Sequence, residues 1–174
     1  MISKNLTIRE AICEDIDALA TMHHQSWGET YQGLLSGKTL EYFSREKLIA
    51  QWTYLLTHKE SQSICFIAEI DGKISGFIDC GPQRTSKIPE LALQGEYYAL
   101  YVLARAQKLG IGWALFERAT QFLQQHFDKQ SLWVLKSNQK ARLFYEKCHG
   151  REIQSCMFQV GDETVEKILY IWST

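Results

Sequence analysis

Apolar positions change their period several times along this chain, and each change marks a predicted element. Thr7 to Glu10 predicts a short first strand. Asp15 stands where it can cap a helix in which Ile16, Leu19, Ala20, His23 and Trp27 recur at helical spacing. Gly28 and Gly33 bracket a break. A second helix follows around residues 38–57, with Leu48, Trp52, Leu55 and Leu56 on one face. The period then becomes strand-like over 64–70 and 74–79, joined by Asp71-Gly72-Lys73, and Asp-Gly between apolar runs is a hairpin signal. Both prolines, Pro82 and Pro89, fall in one stretch of eight residues, the clearest loop in the chain. Residues 96–103, aromatic and branched, predict a central strand. Residues 112–127 carry Leu115, Phe116, Ala119, Phe122, Leu123 and Phe127 at helical spacing. A buried strand over 131–135 and a helix over 138–148 follow, the latter with Ala141, Phe144, Tyr145 and Cys148 on one side. Two strands, about 151–160 and 164–172, turn through Gly161-Asp162. The pattern is that of a mixed α/β domain with a β–α–β–α core in its second half.

Composition narrows the function classes. At 174 residues and 20.2 kDa the chain reads as a single domain over 1–174, on a prior of roughly 100–200 residues per domain. Its 45% hydrophobic and 22% charged residues are those of a globular protein. Nineteen basic against twenty acidic side chains leave a formal charge of −1, without the basic excess of a nucleic-acid binder. No apolar run approaches the roughly 18 residues of a membrane span, and Met1 to Glu10 shows no apolar signal core. A soluble, cytoplasmic protein without nucleic-acid or membrane partners is expected. Five scattered cysteines lack metal or redox spacing, and the adjacent His23 and His24 project about 100° apart on a helix, so no metal is expected.

The first chemical signal is the glycine turn Gln107-Lys-Leu-Gly110-Ile-Gly112 between a strand and a helix. Such a turn leaves the first helical N–H groups free for an anion, and the helix dipole adds about half a positive charge. A P-loop would need Lys and Ser or Thr after the last glycine, where Trp113 and Ala114 stand. A dinucleotide fingerprint would need a small residue at Leu115. The pattern Gln/Arg-x-x-Gly-x-Gly fits residue for residue. It resembles the pyrophosphate loop of the GNAT superfamily of N-acetyltransferases. About 25 residues further on, Asn138-x-x-Ala141-x-x-Phe144-Tyr145-Glu146 resembles that superfamily's second cofactor motif. Trp27, Tyr31-Gln-Gly33 and Tyr170-Ile-Trp172 are similar to a bacterial branch of it. One departure is Cys148-His149-Gly150-Arg151, with a single glycine and no following aromatic, which leaves the end of that helix open.

The resemblance implies the GNAT acyl-CoA N-acyltransferase fold: a mixed, twisted sheet of about seven strands flanked by about four helices, splayed between the fourth and fifth strands. It implies acetyl-CoA as co-substrate. Backbone groups of Leu100, Tyr101 and Val102 would bind the pantetheine arm. Gln107, Lys108, Leu109, Gly110, Ile111 and Gly112 would form the pyrophosphate loop, and Asn138, Ala141 and Tyr145 would complete the cofactor site. Asn138 also suits a helix N-cap. Tyr145 would be the general acid to the departing sulfur, although its position equally suits core packing.

Histone acetyltransferases of that superfamily place a basic glutamate at the position matching Glu96. On strand alternation Glu96 shares a face with Leu100 and Val102, and a solvated charge at a strand end is the plain alternative. Asp79, Glu29 and His24 are further candidate substrate contacts. The residues after Trp27 and the final hairpin would shape the acceptor pocket.

Two functions stay open at this stage. One is direct N-acetyl transfer to an amine, cationic at neutral pH; the other is a noncatalytic acyl-CoA-binding regulator. A homodimer is compatible with either. Residues 97–151 hold nine Lys/Arg and three Asp/Glu, a balance of +6, against −7 for the remainder. That contrast suggests an anionic cofactor near Lys108, Lys136, Lys140 and Arg142, with a cationic amine on the other side.

Overall fold

Residues 5–58 and 60–173 are described in a computed structural model; residues 1–4 of the Met1–Glu10 stretch lie outside them. The elements in chain order are β1 (Leu6–Glu10), α1 (Ile16–Tyr31), α2 (Gly37–Tyr42), α3 (Arg45–Thr57), β2 (Ile64–Ile70), β3 (Lys73–Pro82), β4 (Gly95–Val102), α4 (Ile111–Gln124), β5 (Lys129–Leu135), α5 (Gln139–Lys147), β6 (Arg151–Val160) and β7 (Glu163–Ser173). They form one seven-stranded sheet of order β1-β2-β3-β4-β5-β7-β6. Every neighbouring pair is antiparallel except β4 and β5.

Two expected boundaries move. The single helix expected over 38–57 is two helices, because Phe43 leaves helical geometry (φ −94°, ψ 63°) and Ser44 restarts it. Ser36 and Ser44 each accept a hydrogen bond from the backbone N–H three residues on, at Thr39 and Lys47, the usual N-cap arrangement for serine. The break expected from Gly28 does not occur. α1 runs through Gly28 to Tyr31, a mid-helix glycine costing only about 1 kcal/mol in propensity, and the chain turns at Gly33 (φ +82°). The flanking helices therefore number five among the described residues.

The sheet separates two cores. Tyr97, Ile78, Leu115, Ala119, Leu123, Ile168 and Tyr170 pack on the side covered by α4 and α5. Leu19, Leu48, Trp52, Ile67 and Phe77 pack on the side covered by α1 and α3. Each fully buried side chain of this size contributes about 1.5–3 kcal/mol. His23 belongs to the second core. The Trp52 indole N–H donates to its Nδ1 at 3.2 Å, and burial pushes its pKa down to about 4. No helix among the described residues is long and apolar enough to cross a membrane.

The end of α5 explains the Cys148-His149-Gly150 segment. His149 takes the left-handed conformation (φ 64°), and the Gly150 N–H donates to the Tyr145 carbonyl at 2.8 Å. A Cβ on Gly150 would lie 2.6 Å from the Trp172 ring and 2.8 Å from that carbonyl. Gly150 thus supplies space while His149 bears the strained backbone. His149→Gly is expected to stabilise the protein by about 1 kcal/mol. A rise in urea midpoint at unchanged m-value would show it. An unchanged or lower midpoint would mean that the imidazole contributes more than the backbone relief.

Candidate active site

The turn after β4 forms an anion cradle. Lys108 (φ 63°) and Gly110 (φ 80°) are both left-handed, and α4 begins directly afterwards at Ile111. The first bond closing the helix runs from the Ala114 N–H to the Gly110 carbonyl at 3.0 Å. Among the described residues, the N–H groups from Lys108 to Gly112 have no protein acceptor, and no side chain caps the helix. Alternating left-handed backbone at a helix N-terminus gathers these donors into a nest. Nothing lies within 4 Å of a Cβ built on Gly110, so that glycine serves conformation. A Cβ on Gly112 would instead lie 3.5 Å from the Phe144 ring. The Gln107 amide donates to the Val102 carbonyl at 3.0 Å and ties the turn to the end of β4.

The four cations expected beside an anionic ligand are not equivalent. Lys136 pairs with Glu166 at 2.8 Å, and Arg142 pairs with Glu152 at 2.9 Å, so both are neutralised locally. Lys108 and Lys140 are exposed and make no ion pair among the described residues. Elsewhere the pairs stay within the acidic segment and leave its net balance unchanged: Asp15 and Glu69 pair with Arg9, Asp17 with Arg45, Asp162 with Lys38. Only the Lys136 and Arg142 pairs join the two segments, so the contrast falls from +6 against −7 to +4 against −5 among the described residues.

β4 and β5 pair only at Gly95–Gln130 and Glu96–Ser131, after which they diverge. Into this gap come groups from both faces of the sheet. Leu100 and Val102 point toward α4 and α5, whereas Ala99 and Tyr101 point toward α1 and α3. Glu96 does not share a face with Leu100 and Val102, contrary to strand alternation. Asp79 pairs with Ala99 and Cys80 with Tyr97, so Tyr98 is an extra residue in β4 and the alternation reverses across it. Glu96 therefore lies on the α1–α3 face with Tyr101.

The plain alternative of a solvated charge also fails, because Glu96 is buried. Its Oε2 accepts from the Arg84 and Thr85 N–H groups at 2.8 and 2.9 Å, and its Oε1 accepts from the Thr85 hydroxyl at 2.8 Å. These bonds fold the proline-bounded loop over the start of β4.

Tyr145 is buried among Phe116, Phe144, Tyr170 and Trp172 on the α5 side. Burial raises its hydroxyl above the usual phenol range, and the neighbouring Tyr31 phenol raises it further. Tyr31 is the residue that sequence reasoning passed over: its hydroxyl lies 3.2 Å from that of Tyr101. Both are raised by burial, and Tyr145 adds to the shift at Tyr101. Three phenols from α1, β4 and α5 thus approach one another through the strand gap. The one local signal was the Trp27–Tyr31 pair, one helical turn apart, with tilted rings whose centres are 4.4 Å apart. The Asn138 Oδ1 accepts from the Ala141 N–H at 3.2 Å as an N-cap, and no bond of this kind uses its amide N–H groups.

Of the further candidates, Glu29 accepts from the Ala104 N–H at 2.7 Å and the His24 ring meets the Phe43 carbonyl at 3.1 Å. Asp79 lies on the Glu96 face, and burial pushes it up to about 7 against the pull of Arg84. The segment after α1 and the final hairpin do meet. The Ser36 N–H donates to Glu163 at 2.9 Å, Lys38 pairs with Asp162, and Gly161 abuts Thr39. No group of three or more potential ligands that could hold a metal occurs among the described residues.

The model of the acetyltransferase (GNAT) family matches residues 20–150. An uncharacterized N-acetyltransferase of Bacillus subtilis is 28% identical over 171 residues, 96% of this chain and 92% of its own length. A probable N-acetyltransferase of Mycobacterium tuberculosis is 32% identical over 148 residues, covering 84% of this chain and 80% of its own. Among solved structures, the PaiA N-acetyltransferase of Thermoplasma acidophilum in complex with coenzyme A superposes with a TM-score of 0.69. It is 21% identical and covers 94% of this chain and 98% of its own.

Proposed function

The chain belongs to the acetyltransferase (GNAT) family and is an N-acetyltransferase, and on that premise we propose that it moves the acetyl group of acetyl-CoA directly onto a primary amine of a small molecule or peptide. The observation that carries this reading is the cradle of free N–H groups from Lys108 to Gly112 at the mouth of the β4–β5 gap. Acetyl-CoA supplies a thioester, whose carbonyl an amine can attack. The cradle amides of Lys108, Leu109, Gly110, Ile111 and Gly112 hold the pyrophosphate, with Gln107 fixing the turn. Beyond Glu96 the side of β4 that faces β5 has no partner strand among the described residues, so the backbone groups of Leu100, Tyr101 and Val102 on that side are open to the pantetheine arm and can polarise the carbonyl. Asn138 offers its amide to the same arm, and Ala141 presents only a methyl group to it.

Two side chains move protons. Tyr145, held neutral by burial, keeps a proton on its hydroxyl near neutral pH and delivers it to the departing sulfur. Glu96 accepts the proton of the attacking amine through water. An amine of pKa near 10 is otherwise protonated at pH 7. A covalent detour through cysteine is disfavoured: burial raises the Cys65 and Cys80 thiols and pushes Cys148 up to about 11.

The test is free-thiol release from acetyl-CoA across polyamines, aminoglycosides, amino acids and peptides. Amine-dependent release with at least one class is expected. Binding of acetyl-CoA without turnover on any class would point to a regulator instead. Glu96→Gln preserves an acceptor for the Arg84 and Thr85 N–H groups, so the loop should keep its place. The variant is expected to move the rising limb of the pH profile of kcat/KM to higher pH, because the amine must then lose its proton unaided. An unchanged limb would remove Glu96 as the base.

A further inference from the structure

The far wall of the strand gap holds donors that meet no hydrogen-bond acceptor among the described residues. On β5, β6 and β7, the residues Trp133, Phe158 and Lys167 share one face. Alternation places them opposite Leu132, Val134, Ile168 and Tyr170, which pack under α5. This is the face on which Glu96 and Tyr101 lie across the gap. The Trp133 and Phe158 rings meet at a tilt with centres 4.8 Å apart, and the Trp133 indole N–H is buried with no hydrogen-bond partner among the described residues. Lys167 Nζ lies 4.9 Å from the Phe158 ring centre, and Lys87 Nζ, reaching in from the loop before β4, lies 5.0 Å from it.

Neither lysine makes an ion pair among the described residues. Among the described residues the carboxylate that acts on Lys167 is Glu96, whose oxygens already accept three hydrogen bonds. Burial works against the Lys167 charge. A partly buried ammonium, an exposed one and an orphan indole N–H around one aromatic ring are all donors, and the buried indole N–H left unpaired is costly.

We propose that this cluster receives an oxyanion of the acceptor, so that the substrate is an amine that also carries a carboxylate or phosphate. This rests on the N-acetyltransferase reading and specifies its substrate class. Glu96 faces the amine end, and Lys167, Lys87 and Trp133 face the acidic end. The acceptor is thereby a zwitterion rather than a polycation. The β6–β7 turn, tied to Ser36 and Lys38, closes the end of this wall and favours a small molecule.

Matched pairs that differ only in the acid test it: L-lysine against cadaverine, and O-phosphoethanolamine against ethanolamine. Binding to the protein saturated with coenzyme A is measured by calorimetry, and turnover by thiol release. The acidic member of at least one pair is expected to bind about ten-fold tighter, the range of one charge-assisted contact. Which pair responds tells carboxylate from phosphate. In Lys167→Met the advantage should vanish through weaker binding of the acidic member alone, and Trp133→Phe, which removes only the N–H, should reduce it. Equal or weaker binding of both acidic members, no detectable binding of either, or a variant that weakens both members of a pair alike overturns the proposal. Failure of the acetyltransferase reading is distinct: it would appear as absence of thiol release from every amine, whatever the binding ratios.

Discussion

Tyr145→Phe is expected to lower kcat by about 100-fold or more, the usual worth of a positioned general acid, while the Kd for acetyl-CoA stays nearly constant. The separation follows from where the hydroxyl sits. The ring is packed among Phe116, Phe144, Tyr170 and Trp172, and phenylalanine keeps every one of those contacts. The hydroxyl itself makes no hydrogen bond among the described residues that the variant would break, so its removal should leave folding stability within about 0.5 kcal/mol of wild type. A rise in the thiolate leaving-group barrier, without loss of binding or stability, is the signature of an acid acting only in the transition state. Single-turnover kinetics with the cofactor saturating would measure it. Wild-type turnover in this variant would assign the leaving-group proton elsewhere, with Tyr31 as the next phenol in the gap.

Gly110→Val is expected to weaken acetyl-CoA binding by about 100-fold or more. Gly110 has φ +80°, a conformation that a β-branched residue adopts only under strain, and it sits in the middle of the free N–H cradle. Relaxing that strain turns the neighbouring amides away from a common centre, and each charge-assisted bond lost is worth about 1.5–3 kcal/mol. The apo fold should be spared, because nothing lies within 4 Å of the new Cβ. The expected pattern is thus a near-normal melting temperature with a large loss of affinity by calorimetry. Wild-type affinity would mean that the cofactor phosphates are held by side chains such as Lys108 and Lys140 instead of by backbone.

The parts of the site that could be read from sequence are those whose geometry is local. The cradle depends on a strand end, two left-handed residues and a helix start within about ten positions, and the spacing of Gly110 and Gly112 reports all three. Asn138 and Tyr145 sit on one short helix, so their relation is set by helical periodicity. Glu96 shows where this logic fails. Counting along β4 puts it on the wrong face, because one inserted residue at Tyr98 reverses the alternation, and a bulge leaves little trace in composition. Similarly, a helix read across Phe43 and Ser44 ignored the serine that restarts it.

Charge along the chain was the least informative signal. Lys136 and Arg142 are basic in any count, yet Glu166 and Glu152 reach them from β7 and β6. Conversely, Lys87 and Lys167 lie 80 positions apart and carry no pattern in common, yet they come together over Phe158.

By itself, then, the sequence determined the order of most strands and helices and the glycine turn at the start of α4, and it put Tyr145 on the helix that follows β5. Hydrophobic period and turn chemistry act over a few residues and leave their mark there. Tertiary structure alone decided which face Glu96 occupies, that Tyr31 meets Tyr101 and Tyr145, and which cations remain unpaired around the gap. Those depend on strand register and on contacts between elements distant along the chain, where packing chooses among partners that local sequence does not rank.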